Sequence, residues 1–241
     1  MKLTVVGCSP AWPNPGGAQS GYLVETDGRR LLLDCGPGVL ARLRELEDWP
    51  RIDAIAITHF HLDHWGDLVP WVWALSFGPA AEAPPPELWL PPRGRETLRA
   101  LGAQLGQPEM FEEAFRVSEY ERDVESSMAG FDVTPRKVLH YDLDAYGFRV
   151  SMNGTTLAYS GDSGPSAELV ELARDADLFL CEATLDRPRP EGGKRGHLSA
   201  EEANDAFVTS GAKRLLLTHR PKERPLEPDY EQVHDGQELE V

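Results

Sequence analysis

An α/β fold with two sheet layers flanked by helices is the architecture this 241-residue sequence predicts. Three observations carry it. Strand-like apolar runs alternate with helical segments along the whole chain, with no sharp break in composition. Each half mixes both element types and holds an apolar strand ending in a Thr-His pair, Thr58-His59 and Thr218-His219. Two turn signals, Asp27-Gly28 and Asn153-Gly154, each join a pair of such runs into a hairpin. The length allows one large α/β domain or two small ones, and the unbroken pattern favours a single domain over residues 1–241.

The elements follow in order. KLTVVG (2–7) reads as a strand, then a Pro/Gly loop leads into the hairpin of GYLVE and RRLLLDC. PGVLARLREL is a short helix with Pro37 near its first turn. RIDAIAIT (51–58) is a strand, and a helix is expected over residues 64–77. Residues 79–94 hold six of the 20 prolines, yet the strand-like ELWL lies among them, so an internal loop is expected rather than a linker. Residues 95–116 read as helical, and the seven acids within 109–125 as a solvated face. Strands return with FDVTPRKVL, the YGFRVSMNGTTLAYS hairpin, DADLFLCEA and RLLLTH (214–219). Ser199 with Glu202 forms a capping box for a helix over residues 199–210.

Charge narrows the function. With 24 Lys+Arg against 40 Asp+Glu, the net charge of −16 repels a polyanion at long range and argues against a binder of long nucleic acid. Cys8, Cys35 and Cys181 are widely spaced without a C-x-x-C, which indicates packing residues in a reducing compartment. The N-terminus lacks a signal-peptide pattern, and no apolar stretch approaches the ~20 residues a membrane span needs. A soluble, cytoplasmic protein without membrane partners is expected.

Three of the seven histidines fall in THFHLDHWGD, as H-x-H-x-D-H from His59 to His64. Residues two apart on a strand face one side, so His59 and His61 can share a ligand, while Asp63 and His64 follow as the chain turns. Imidazole nitrogens with a carboxylate oxygen suit Zn, Mn or Fe. A His-rich surface turn is the competing explanation, but four potential ligands in six residues at the end of an apolar strand favour a metal.

This motif resembles the metallo-β-lactamase superfamily, whose αββα sandwich has two mixed sheets flanked by helices. Further pieces appear in the family's order: His140 in RKVLHYD, Asp162 in LAYSGDSG and His219 in LLLTH. The resemblance implies that His59, His61 and His140 bind one metal and Asp63, His64 and His219 another, with Asp162 and a hydroxide between them. Two divalent ions, first of all Zn, are the implied cofactors. Asp34 in LLLDCG is either a support for a ligating imidazole or a helix cap.

Within the superfamily, LCEAT and GHLSAEEA resemble the ribonuclease Z group of phosphodiesterases. By that resemblance Glu182 orients His197, which protonates the departing oxygen; an ion pair beside a helix cap is the alternative. Asp63, Glu182 and His197 are thus the candidate catalytic residues. Only 21 residues separate His140 from Asp162, leaving no room for the arm with which ribonuclease Z holds transfer RNA. The chain resembles short relatives without that arm, including atypical actinobacterial cyclic-nucleotide phosphodiesterases, and so implies a small phosphodiester substrate. A ribonuclease Z-like endonuclease, a lactone or thioester hydrolase, and an iron-dependent thiol dioxygenase are the alternatives. A homodimer is implied at family level.

Two features bear on the substrate. Residues 187–224 carry nine bases against five acids, a local excess that could attract a phosphate. Trp65, Trp71, Trp73 and Trp89 follow the metal motif and form either a stacking wall or core packing and a dimer face.

Overall fold

The computed structural model describes residues 1–46, 49–224, 226–227 and 229–241. The first sheet is built from β1 (Lys2–Gly7), β2 (Gly21–Thr26), β3 (Arg29–Leu33), β4 (Ala54–Ala56), β5 (Glu87–Leu90), β6 (Arg116–Glu119) and β13 (Glu238–Glu240), in the order β13-β1-β2-β3-β4-β5-β6. The second contains β7 (Ser126–Met128), β8 (Phe131–Val138), β9 (Ala145–Met152), β10 (Thr155–Tyr159), β11 (Leu178–Glu182) and β12 (Leu215–Thr218), in the order β12-β11-β10-β9-β8-β7. Both sheets are mixed: β3 to β6 run parallel, as do β10 to β12, and the remaining pairs are antiparallel.

Alternation along the strands explains the layers. On β3, Leu31 and Leu33 join Tyr22, Phe148 and Leu180 in the core between the sheets. Leu32, one residue out of phase, points to the outer layer with Leu23, Ile55 and Trp71. That outer layer is covered by α1 (Val39–Leu43), α2 (Leu68–Ser76), α3 (Gly94–Gln104) and α4 (Met110–Ala114). On the far side α5 (Ala167–Ala173) and α6 (Ala200–Ser210) cover Phe179 and Leu217. Strands buried on both faces read as continuous apolar runs, as β3 and β11 do. Both expected hairpin turns hold left-handed backbone at both central residues, with φ of 49° and 74° at Asp27-Gly28 and 53° and 79° at Asn153-Gly154. The Ser199–Glu202 capping box opens α6.

Some elements differ from expectation. The helix expected over 64–77 begins as a 3₁₀ turn at Leu62–His64 and resumes only as α2, with Trp65, Gly66 and Asp67 between. The helix expected over 95–116 is broken after Gln104, where Gly106 takes φ of 81° and Pro108 cannot continue a helix. Residues 116–119 instead enter β6, and ELWL becomes an inner strand paired with both β4 and β6. β6, β7 and β13 are short polar strands at or near sheet edges, where no alternation of hydrophobic residues betrays them.

Because Leu180 is fully buried between the sheets, Leu180→Ala is expected to cost about 2–5 kcal/mol. A lower urea midpoint with an unchanged slope would show it, and a midpoint like the parent's would contradict this account of the core.

Candidate metal centre

The ends of strands from both sheets converge on one point. His59 follows β4, His140 follows β8, Asp162 follows β10 and His219 follows β12, while His61, Asp63 and His64 come from the 3₁₀ turn. His59, His61, His140 and Asp162 bring their ligand atoms within 4.8 Å of one another, and so do Asp63, His64, Asp162 and His219. Asp162 is common to both groups. Its Oδ1 lies 3.3 Å from His64 Nε2 and 3.6 Å from His219 Nε2, and its Oδ2 lies 3.9 Å from His59 Nε2 and 3.8 Å from His140 Nε2.

The backbone of the 3₁₀ turn is pinned by the end of β3 and by the residue before β2. Cys35 N–H donates to the His64 carbonyl at 2.7 Å, and Ser20 N–H to that of Asp63 at 3.2 Å. A Cβ at Gly36 would lie 2.0 Å from the Asp63 carbonyl oxygen, so only glycine permits this approach.

Four of the five imidazoles have Nδ1 held by an acceptor. His64 Nδ1–H donates to Asp34 Oδ2 at 2.7 Å and His140 Nδ1–H to the Gly196 carbonyl at 2.7 Å. The hydroxyls of Thr58 and Thr184 lie 3.0 and 2.9 Å from the Nδ1 atoms of His59 and His219. This arrangement fixes the tautomer with a lone pair on Nε2, the state a metal requires. His61 differs: its Nδ1 lies 2.9 Å from His140 Nε2.

Asp34 therefore supports the imidazole of His64 rather than capping a helix; Gly38 occupies the cap of α1. Thr58, Thr184 and Tyr159, whose hydroxyl donates to Asp34 at 2.8 Å, are not singled out by the sequence, although Thr184 lies within LCEAT and Tyr159 within LAYSGDSG. Only the Thr58-His59 pairing hints at the role of Thr58.

A cation fits this set. Among the described residues, the buried Nε2 atoms of His59 and His64 and Oδ1 of Asp162 have no hydrogen-bond partner. Buried polar atoms left unpaired are costly, and a divalent ion accepting their lone pairs removes that cost. Electrostatics agree. Burial raises the carboxyl of Asp162, but the charges of His219 and His64 outweigh it and hold it well below the usual range. Burial pushes His59 well down, with His64 adding to the effect. His64 itself is raised because Asp162, Asp34 and Asp63 outweigh its burial.

Beside the two groups lies a third, Glu182, His197 and His219. Glu182 Oε1 accepts from His197 Nδ1–H at 2.9 Å and Ser163 N–H at 3.1 Å, and Oε2 accepts from Thr184 N–H at 2.9 Å. The His197 ring stacks on that of His219 at 5.9 Å, and its side chain is 15% exposed.

The nine bases of 187–224 do not form a free cationic rim. Lys194 pairs with Asp142, Arg195 with Glu191 and Glu202, Lys213 with Asp177, Arg214 with Glu231 and Arg189 with Asp186. Nor do the four tryptophans form one wall. Trp71 is buried near Phe115, Trp89 packs on the core between the sheets, and Trp65 sits edge-on to Phe60. Only Trp73, stacked on the exposed Phe77, faces solvent substantially. His234 lies apart from the cluster.

A family model described as a beta-lactamase superfamily domain matches residues 29–220. The chain belongs to this superfamily. Among its superfamily relatives, the probable metallo-hydrolase YhfI of Bacillus subtilis is 28% identical, over 92% of this chain and 87% of its own. An uncharacterized protein of Mycobacterium tuberculosis is 33% identical, over 92% and 81%, and a ribonuclease Z of Salinibacter ruber is 30% identical, over 91% and 85%. The crystal structure of YhfI superposes with a TM-score of 0.85 at 24% identity, covering 99% of this chain and 98% of that one, and shows the metallo-β-lactamase fold. The superfamily and these relatives indicate a metallo-hydrolase with His/Asp clusters for a metal site. None of the helices is long and apolar enough to cross a membrane, among the described residues.

Replacing Asp34 with Ala leaves Thr58, His64 Nδ1 and the Tyr159 hydroxyl without their shared acceptor. Metal affinity is expected to fall by roughly 10–100-fold, measured as metal retained after dialysis against a competing chelator. Unchanged retention would remove Asp34 from any part in metal binding.

Proposed function

We propose that this chain is a phosphodiesterase acting on a small phosphodiester such as a cyclic nucleotide. His59, His61 and His140 would hold one divalent ion and Asp63, His64 and His219 a second, with Asp162 shared between them. Zn is the first expectation, and Mn or Fe suits the same donors. When bound, such a pair neutralises charge developing on a phosphoryl group and lowers the pKa of water.

The observation that carries the reading is the Glu182–His197 pair beside this cluster. An alkoxide departs poorly unless protonated, so the reaction needs an acid at its edge. Burial pushes His197 down, but Glu182 outweighs it and lifts the imidazole to about 9, so it is protonated at neutral pH. Glu182 holds Nδ1, which leaves Nε2 as the nitrogen free to give its proton. The loop bearing His197 is fixed as well. Glu191 accepts from the N–H groups of Gly196 and His197 at 2.9 and 3.0 Å, and Arg195 donates to the His197 carbonyl at 3.0 Å. After proton transfer, the neutral imidazole keeps its place through these contacts.

Size of substrate is argued from the chain itself. The residues between His140 and Asp162 are used up by the β9–β10 hairpin inside the second sheet, and the net charge of −16 opposes a long polyanion. The ribonuclease Z relative makes precursor transfer RNA the informative competitor in any substrate panel.

Two substrates separate the roles. On a cyclic nucleotide, Glu182→Gln and His197→Ala are expected to slow turnover by roughly 10²–10⁴-fold. On bis-p-nitrophenyl phosphate, whose leaving group needs no proton, both should retain most of their activity. Asp162→Ala and chelator treatment should abolish both reactions, and turnover surviving in metal-depleted protein would overturn the proposal. Cleavage of precursor transfer RNA in preference to cyclic nucleotides would replace it with the endonuclease reading.

A further inference from the structure

A cavity of about 410 Å³ lies between the 8–17 segment, Arg42 of α1, the 221–224 loop and residues 232–235. None of the seven candidate ligands lines it, nor does Glu182 or His197. Its charged walls are three cations, Arg42, Lys222 and Arg224, against one carboxylate, Asp235.

That carboxylate is already engaged. Its Oδ1 accepts from Cys8 N–H at 3.0 Å, and its Oδ2 accepts from Ala18 N–H at 2.8 Å and lies 3.2 Å from Arg42. Among the described residues, neither Lys222 nor Arg224 has a carboxylate oxygen within 4.0 Å. Glu223 does not line the cavity, and Asp186, at longer range from Arg224, pairs with Arg189 at 3.5 Å. Arg224 is held instead by the Thr184 carbonyl at 2.9 Å and by the Trp12 ring, 5.6 Å below its guanidinium. The loop is anchored where Lys222 N–H donates to Asn14 Oδ1 at 2.8 Å.

Behind the loop sits a further guanidinium. Arg220 is only 2% exposed and is bonded to the carbonyls of Ala183, Leu185 and Arg224, with its Nε unpartnered. Burial and the charge of Arg224 push Arg220 down to about 10. In a chain of net −16, where neighbouring bases meet carboxylates, Lys222 and Arg224 without an ion-pair partner leave positive charge that a bound anion would neutralise.

We propose that the cavity binds a phosphate-bearing small anion through Lys222 and Arg224, with Arg42 on the opposite wall. It is separate from the metal centre but joined to it by the loop that begins at His219. The site would stand whatever bond the metal centre cleaves.

Inorganic phosphate is the probe, added to metal-loaded ¹⁵N-labelled protein while amide resonances are followed. Saturable shifts are expected at Gly16, Gly17, Lys222 and Gln232, weakening with added salt. Lys222→Gln, at an exposed position, should weaken binding about tenfold or more. Arg224→Gln should do the same, and Lys222→Gln remains decisive if the Arg224 variant fails to fold. No saturable shift, shifts confined to amides beside residues 59–64, 140, 162 and 219, or parental affinity in Lys222→Gln would each overturn the proposal.

Discussion

Asp34 stands fully buried at the end of β3, with φ of 60°, and three side chains and one backbone N–H converge on its two oxygens. Thr58 donates its N–H and hydroxyl, His64 its Nδ1–H, and Tyr159 its hydroxyl. Thr58 follows β4 of the first sheet, Tyr159 belongs to the second and His64 to the turn that carries three candidate ligands. A carboxylate stripped of water is tolerated only when its lone pairs are filled, and here filling them draws both sheets to one point. The same contacts fix the tautomer of His64 and, through the Thr58 hydroxyl, that of His59. Convergence of the strand ends and orientation of the imidazoles are therefore one constraint. His140 and His219 are held independently, by the Gly196 carbonyl and the Thr184 hydroxyl, so Asp34 governs the half of the cluster that His59 and His64 supply.

This constraint explains which parts of the molecule are legible in the sequence. The hairpins at Asp27-Gly28 and Asn153-Gly154, the cap of α6 and the apolar inner strands follow local rules, and all are present. The histidine motif is legible for a similar reason: His59, His61, Asp63 and His64 lie within six residues, and the clustering itself is the signal. Edge strands such as β7 and β13 are short and polar, and only pairing with a neighbour makes them strands. The supports of the candidate ligands are hidden likewise. Thr184 lies 35 residues from His219 and Tyr159 lies 125 residues from Asp34, so although LCEAT and LAYSGDSG contain them, neither motif says which group the hydroxyl holds. Asp34 itself sits where a cap or a buried support reads the same, and only the contact with His64 separates them.

Charge is the feature for which a sequence count misleads most. Nine bases in 187–224 suggest a cationic rim, yet five of them meet carboxylates and Arg220 is turned onto carbonyls. A linear excess says little about a field when the acids that neutralise it come from Asp142, Asp177 and Glu231 elsewhere in the chain. Among the described residues, three of the nine keep no carboxylate within 4.0 Å and are not buried against carbonyls as Arg220 is: Arg187, and Lys222 and Arg224 on the 221–224 loop. An acidic body with a small cationic cavity disfavours long polyanions while leaving room for a compact one.

The group of Glu182, His197 and His219 would satisfy a metal by spacing alone, and its hydrogen bonds argue that it does not hold one. Three N–H donors already fill the inward lone pairs of Glu182, from Ser163, Thr184 and His197. In the other two groups, by contrast, Nε2 of His59, Nε2 of His64 and Oδ1 of Asp162 are buried without a hydrogen-bond partner among the described residues. A carboxylate filled by N–H groups is arranged to orient a proton donor, and buried polar atoms without partners mark a place for a cation. His219 contributes to both, stacking on His197 while its Nε2 lies 3.1 Å from Asp63. The proposed proton donor is thereby held in register with the proposed metal ligands by ring contact and by the Gly196 carbonyl that His140 shares with the His197 loop. A displacement of either would be felt by the other, which is the coupling that cleavage of an ester with a poor leaving group requires.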